Sequence, residues 1–288
     1  MLPPNATPQS RGRLEIAREL TERCPPALGR EVAVTGSVAL GLADDDSDVE
    51  LNLWVEALPH ASQRDDWLAA IGATDVKAQD IPWDDGTFAA TFRYRGVTIE
   101  AGWQTIGMIE AALRSVLDEH RTGHLTLAYT VSQAVTLRSA GALAKWQSWL
   151  AEYPEGLREQ VIEQNTSVWG LPHAGGIRWA LTRRRDVLAL NERLTWDVYN
   201  VLNLLFALNR RWRPDWKWLR HKCAALPVKP NRLAERIEEI FTAPALERRV
   251  VICQRLILET LALLPPSPSV ALAQQRIGEH LDANERDA

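Results

Sequence analysis

The sequence predicts an α+β fold, with a mixed β-sheet domain over residues 1–104 followed by an all-helical domain over residues 105–288. Three observations carry this. Short apolar runs bounded by turn residues crowd the first hundred positions; strand signals stop beyond about Thr105; and from there apolar residues recur at helical spacing, broken by Pro154, Pro172, Pro214, Pro227, Pro230 and Pro265-Pro266. The 288 residues are enough for two modest domains.

The elements follow in order. The first ten residues and the last five read as disordered. Leu14, Ile16, Ala17 and Leu20 mark a helix over 12–23 that stops before Pro25-Pro26. Val32-Ala33-Val34 opens a strand over 31–35, Thr35-Gly36-Ser37 turns into a short helix, and a second strand runs over 49–56. A helix from about Ser62 to Ile71 precedes a hairpin: Phe88, Ala90, Phe92 and Tyr94 alternate, Arg95-Gly96 turns, and Val97 to Ala101 returns. Helices are then expected over 105–121, 139–151, 155–165, 175–192, 194–211, 231–241, 244–264 and 268–283.

The chemistry is concentrated in the strands. Asp48 and Glu50 flank Val49, and residues two apart on a strand share a face roughly 6.5 Å apart. Both acids should therefore project together while Val49 and Leu51 enter the core. The preceding Gly36-Ser37 turn offers backbone N–H groups and a hydroxyl to phosphate oxygens. On the returning hairpin strand Val97 and Ile99 should face inward and Glu100 outward. If that strand lies beside the one carrying Glu50, the three carboxylates converge, and such a cluster calls for a divalent cation. Magnesium takes one or two carboxylates together with substrate phosphates.

Two alternative motifs fail. Asp44, Asp46 and Asp48 match the start of an EF-hand loop, but Val49 and Val55 occupy the positions that demand Gly and Glu. Gly36 and Gly41 have Walker spacing, but Leu42 and Ala43 stand where Lys and Ser or Thr are required.

Gly36-Ser37, ten residues, Asp48-x-Glu50 and the later Glu100 resemble the nucleotidyltransferase superfamily shared by antibiotic adenylyltransferases and DNA polymerase beta. Arg185-Asp186, Leu208 to Pro214 and Lys217-Trp218-Leu219 resemble an uncharacterised subgroup related to streptomycin-type aminoglycoside adenylyltransferases, so the likeness spans most of residues 30–230. Glu at positions 50 and 100, where Asp is commoner, is the departure. The resemblance implies a nucleotidyltransferase-like sheet domain and a helical domain that closes on nucleotide and substrate. It further implies Mg2+ held by Asp48, Glu50 and Glu100, with Glu100 as metal ligand or general base. ATP or another nucleoside triphosphate would be gripped by Gly36, Ser37 and Lys217. AMP would pass to a hydroxyl of a small acceptor with release of pyrophosphate. The rival readings are a protein-AMPylating, antitoxin-like enzyme, usually a shorter single domain, and a homologue that binds without turnover.

Composition narrows the partners. A net charge of −4 gives no general attraction to nucleic acid. Cys24, Cys223 and Cys253 are far apart and read as reduced structural thiols. No apolar stretch approaches membrane-spanning length, and Met1 to Arg13 lacks the apolar core of a signal peptide, so a cytoplasmic protein is expected. The six histidines show no paired-ligand spacing, and most of the twelve tryptophans read as core.

Overall fold

Thr7 starts the first helix earlier than expected. Its hydroxyl accepts the Ser10 N–H and donates to the Ala43 carbonyl at 2.6 Å, while Pro8 pre-sets the first turn of α1 (Pro8–Arg23). The N-terminal residues are thus anchored, with Ala6 buried, and not disordered as a whole. The computed structural model describes residues 1–79 and 86–284; the expected disorder of the C-terminal residues falls almost wholly outside them. The described chain forms two compact units, one of residues 1–119 with 127–152 and one of residues 120–126 with 153–288.

The first unit is built on a mixed sheet. Its strands are β1 (Glu31–Val34), β2 (Val49–Val55), β3 (Thr74–Ala78), β4 (Phe88–Tyr94), β5 (Val97–Thr105) and β6 (Val135–Arg138), in the order β3-β4-β5-β2-β1-β6. Only β2 and β5 pair in parallel among the described strands. Alternation puts Val49, Leu51, Leu53, Ile99, Ala101 and Trp103 into the core, as their pattern predicts. There Trp67 of α3 (Ala61–Ile71) packs edge-on against both Phe92 and Trp103.

Two strands were not expected. β3 is exposed at every position and lies at the sheet edge, so it has no apolar alternation to read. β6 overturns the expectation that strands end near Thr105, and it carries the sheet unit on to Glu152. Its physical reason is Glu31. This wholly buried carboxylate accepts the Ser139 hydroxyl at 2.5 Å and the Ala140, Ala142 and Leu143 N–H groups at 2.7–3.2 Å. Those bonds tie the start of α6 (Ala142–Trp149) to β1. α4 (Ile106–Leu117) and the unexpected α5 (Leu125–Gln133) connect β5 to β6.

The second unit is helical: α7 (Glu155–Gly170), α8 (Ile177–Arg184), α9 (Val187–Leu208), α10 (Leu219–Ala224), α11 (Leu233–Thr242), α12 (Leu246–Ala262) and α13 (Pro268–Asn284). The expected helices 175–192 and 194–211 are cut in the wrong place. Arg185 turns the chain at φ 55°, Asp186 caps the Ala189 N–H, and α9 then runs unbroken. The short α10 was also missed. All three cysteines are buried; burial pushes the Cys24 and Cys223 thiols up to about 11 and raises Cys253 as well. Trp54, Trp103, Trp169, Trp179 and Trp212 are buried, whereas Trp196, Trp216 and Trp218 are exposed. No helix among the described residues is long and apolar enough to cross a membrane.

Candidate active site

β5 does lie beside β2, and the parallel register sets Glu50 directly opposite Glu100. Neighbouring strands are about 4.8 Å apart, and both side chains line one cleft of about 600 Å³ in the sheet unit. That size suits a nucleotide or a comparable small molecule.

The Gly36 turn packs onto Glu50. Gly36 holds φ at +61°, and a Cβ there would come within 2.2 Å of Glu50 Oε2 and 2.8 Å of Oε1. Glycine suits the backbone angle here, and its missing Cβ leaves the Glu50 carboxylate the place it occupies. On the other side the Asn52 amide donates to Thr35 Oγ1 at 2.8 Å, and the Thr35 hydroxyl donates to Glu50 Oε2 at 3.2 Å. This relay fixes the carboxylate's orientation. Neither Thr35 nor Asn52 was singled out from the sequence. Asn52 could have been, because it follows Glu50 by two residues and so shares its face.

The other expected residues are placed as follows. Asp48 is half-buried and stands one residue ahead of β2. Ser37 lies in the one-turn helix α2 (Gly36–Ala39) and is half-buried. Neither is among the described residues that line the cleft. Asp44 to Asp46 belong to a turn secured by the Arg13 guanidinium, which donates to the carbonyls of Ser47 at 2.7 Å and Asp45 at 3.0 Å. The Ser47 hydroxyl holds the Asp44 carboxyl below its ordinary range. Lys217 belongs to the helical unit, exposed in the turn before α10.

The donor set suits magnesium through two carboxylates, Glu50 and Glu100, on rigid neighbouring strands beside an open cleft. Among the described residues no group of three or more His, Cys, Asp and Glu side chains is gathered closely enough to hold a metal ion. Asp48 is therefore adjacent to the pair and is not closed onto it.

A cross-strand row extends the site beyond what the sequence suggested. Thr35 pairs with Glu50, Glu50 with Glu100, Glu100 with Thr91, and Thr91 with Lys77, and all five line the cleft. Thr91 could have been read from the hairpin register; Lys77 could not, because β3 carries no strand signal.

Residues 121–219 match the model of a domain of unknown function, DUF4037, a minority of the chain that includes Lys217 but none of the sheet acids. Among solved structures the chain is similar to a nucleotidyltransferase-like protein from Exiguobacterium sibiricum 255-15, at 13% identity and a TM-score of 0.39, over 96% of this chain and 91% of that one. No curated protein matches.

Proposed function

We propose that this chain is a metal-dependent nucleotidyltransferase, moving AMP from ATP to a hydroxyl of a small acceptor and releasing pyrophosphate. The observation that carries the reading is the Glu50–Glu100 pair, opposed on parallel strands inside a nucleotide-sized cleft and backed by a glycine whose missing Cβ leaves room for the Glu50 carboxylate. Glu50 and Glu100 would hold Mg2+, with Asp48 as the adjacent third carboxylate. When bound, the ion would supply charge neutralisation for the triphosphate and for the acid pair.

The chain's own residues then have distinct tasks. Thr35 and Asn52 keep Glu50 oriented. The Gly36 N–H and the Ser37 hydroxyl would face phosphate oxygens, and the Lys217 ammonium would balance the outer phosphates. Glu100 accepts the proton of the acceptor hydroxyl as its oxygen bonds to the α-phosphorus. The bond from that phosphorus to the bridging oxygen breaks, and pyrophosphate carries the electron pair away.

Calorimetric titration with Mg-ATP tests this. Asp48→Asn combined with Glu50→Gln should abolish Mg-dependent ATP binding while leaving the thermal midpoint nearly unchanged. Glu100→Gln should keep ATP affinity and lower turnover about 10²–10⁴-fold if Glu100 acts as base alone, and should weaken Mg-dependent ATP binding as well if it is a metal ligand. Wild-type affinity in the double variant would sink the assignment. Binding without turnover in the wild type, across a broad acceptor screen, would turn the reading into a nucleotide-binding homologue.

A further inference from the structure

We infer that the far end of the cleft is an anion subsite, and that the acceptor carries a phosphate or carboxylate in addition to its reacting hydroxyl. The inference rests on the nucleotidyl-transfer reading for which end is which. The row across the sheet runs Thr35, Glu50, Glu100, Thr91, Lys77. The glycine turn packs against Glu50 at one end, where the phosphates would lie. Glu100 is the middle member. Whatever reaches past Glu100 is therefore acceptor, and the residues that line the cleft there include Thr91, Gln79 and Lys77.

Lys77 is the cation among the described residues that line the cleft. It is exposed, lines the cleft, and carries no ion pair among the described residues. Asp75, the acid two positions earlier in β3, shares a neighbouring groove with Lys77 and Thr91 and is not among the described residues lining this cleft. Lys77 is two strand spacings from Glu100, about 10 Å between backbones, and its four-carbon stem spans part of that distance. An acceptor whose anionic group sits several bonds from its hydroxyl fits between them. A polycationic acceptor would place an amine against the lysine, which like charges disfavour.

The test uses the full chain and three probes of one shape: glycerol 3-phosphate, glycerol and 3-aminopropane-1,2-diol, titrated by NMR with and without Mg-bound α,β-methylene ATP. Wild type should bind the phosphate probe at least about tenfold more tightly than the other two. Lys77→Ala should reduce the phosphate probe to the level of glycerol and leave nucleotide affinity unchanged. Lys77→Glu should shift the preference to the amine. Equal binding of the three probes by wild type overturns the inference, and so does a Lys77→Ala variant that loses nucleotide affinity but keeps the phosphate probe. Failure of wild type to bind Mg-nucleotide overturns the nucleotidyl-transfer reading instead, since the probe preference is read separately without nucleotide.

Discussion

Asp197 in the helical unit and Glu50 in the sheet unit are both carboxylates oriented by named donors, and they occupy opposite settings. Asp197 has no exposure at all. Its two oxygens accept the Arg178 guanidinium at 2.6 and 2.5 Å and the Trp169 indole N–H at 2.9 Å, with Arg193 at 3.6 Å. Arg178 is equally buried and also donates to the Ala174 carbonyl. Glu50 sits half-exposed at the edge of an open cleft, with a neutral hydroxyl on one side and another acid in register beside it. A buried charge surrounded by compensating donors locks helices together and leaves nothing for a ligand. Exposure separates the two carboxylates: Asp197 is sealed from any ligand, whereas Glu50 lines a cleft that a ligand can enter.

The sharpest break of this contrast is Asp197→Ala. It leaves Arg178 charged and buried without its partner, and should cost about 3–5 kcal/mol of unfolding free energy. Denaturant midpoints measure it, with the Glu50→Gln protein as the companion. The latter should unfold near the wild-type midpoint, because Glu50 is half-exposed and a glutamine keeps an oxygen to accept the Thr35 hydroxyl. An Asp197→Ala protein as stable as wild type would show that the buried cluster is not what holds α8 and α9 together.

The two units were also unequally legible. In the sheet unit the alternation of Leu51, Leu53, Ile99 and Trp103 places the central strands and the outward face of Glu50 and Glu100, because a strand buried on one face writes its period into the sequence. β3 has no buried face and β6 spans four residues, so neither leaves such a record. Lys77 was invisible for that reason alone. In the helical unit, apolar periodicity locates helices well but not their ends. The division of α8 from α9 rests on one left-handed residue, Arg185, and on the Asp186 cap. The Asp-x-x-Ala spacing of that cap was present in the sequence; the left-handed turn at an arginine was not foreseeable from propensity.

Lys217 sharpens the comparison from the other side, as an exposed residue of the mostly structural unit to which a task in phosphate binding is assigned. Lys217→Ala should raise the apparent ATP KM by the equivalent of about 1.5–3 kcal/mol, the range for a charge-assisted hydrogen bond. AMP, lacking the outer phosphates, should bind variant and wild type alike. Steady-state kinetics with ATP and a parallel AMP titration separate these effects. Equal KM values would confine nucleotide binding to the sheet unit, leaving the argument from Glu50 and Glu100 intact.

The smallest expected change in stability, and the most diagnostic, comes from a pair of glycines within the sheet unit. Gly36 and Gly72 both hold positive φ, +61° and +76°, so an alanine at either should cost about 1–2 kcal/mol of backbone strain. Their surroundings differ. A Cβ at Gly72, which closes the C-terminus of α3, meets nothing within 4 Å. At Gly36 it meets the Glu50 carboxylate, the far end of a side chain able to swing away. The collision is therefore relieved by moving Glu50 and not by unfolding the strand. Thermal melts should show similar losses for Gly36→Ala and Gly72→Ala, whereas Mg-ATP titration should show weakened binding for Gly36→Ala alone. Unimpaired Mg-ATP binding by Gly36→Ala would mean that the orientation of Glu50 does not govern the site, and would remove the glycine turn from it.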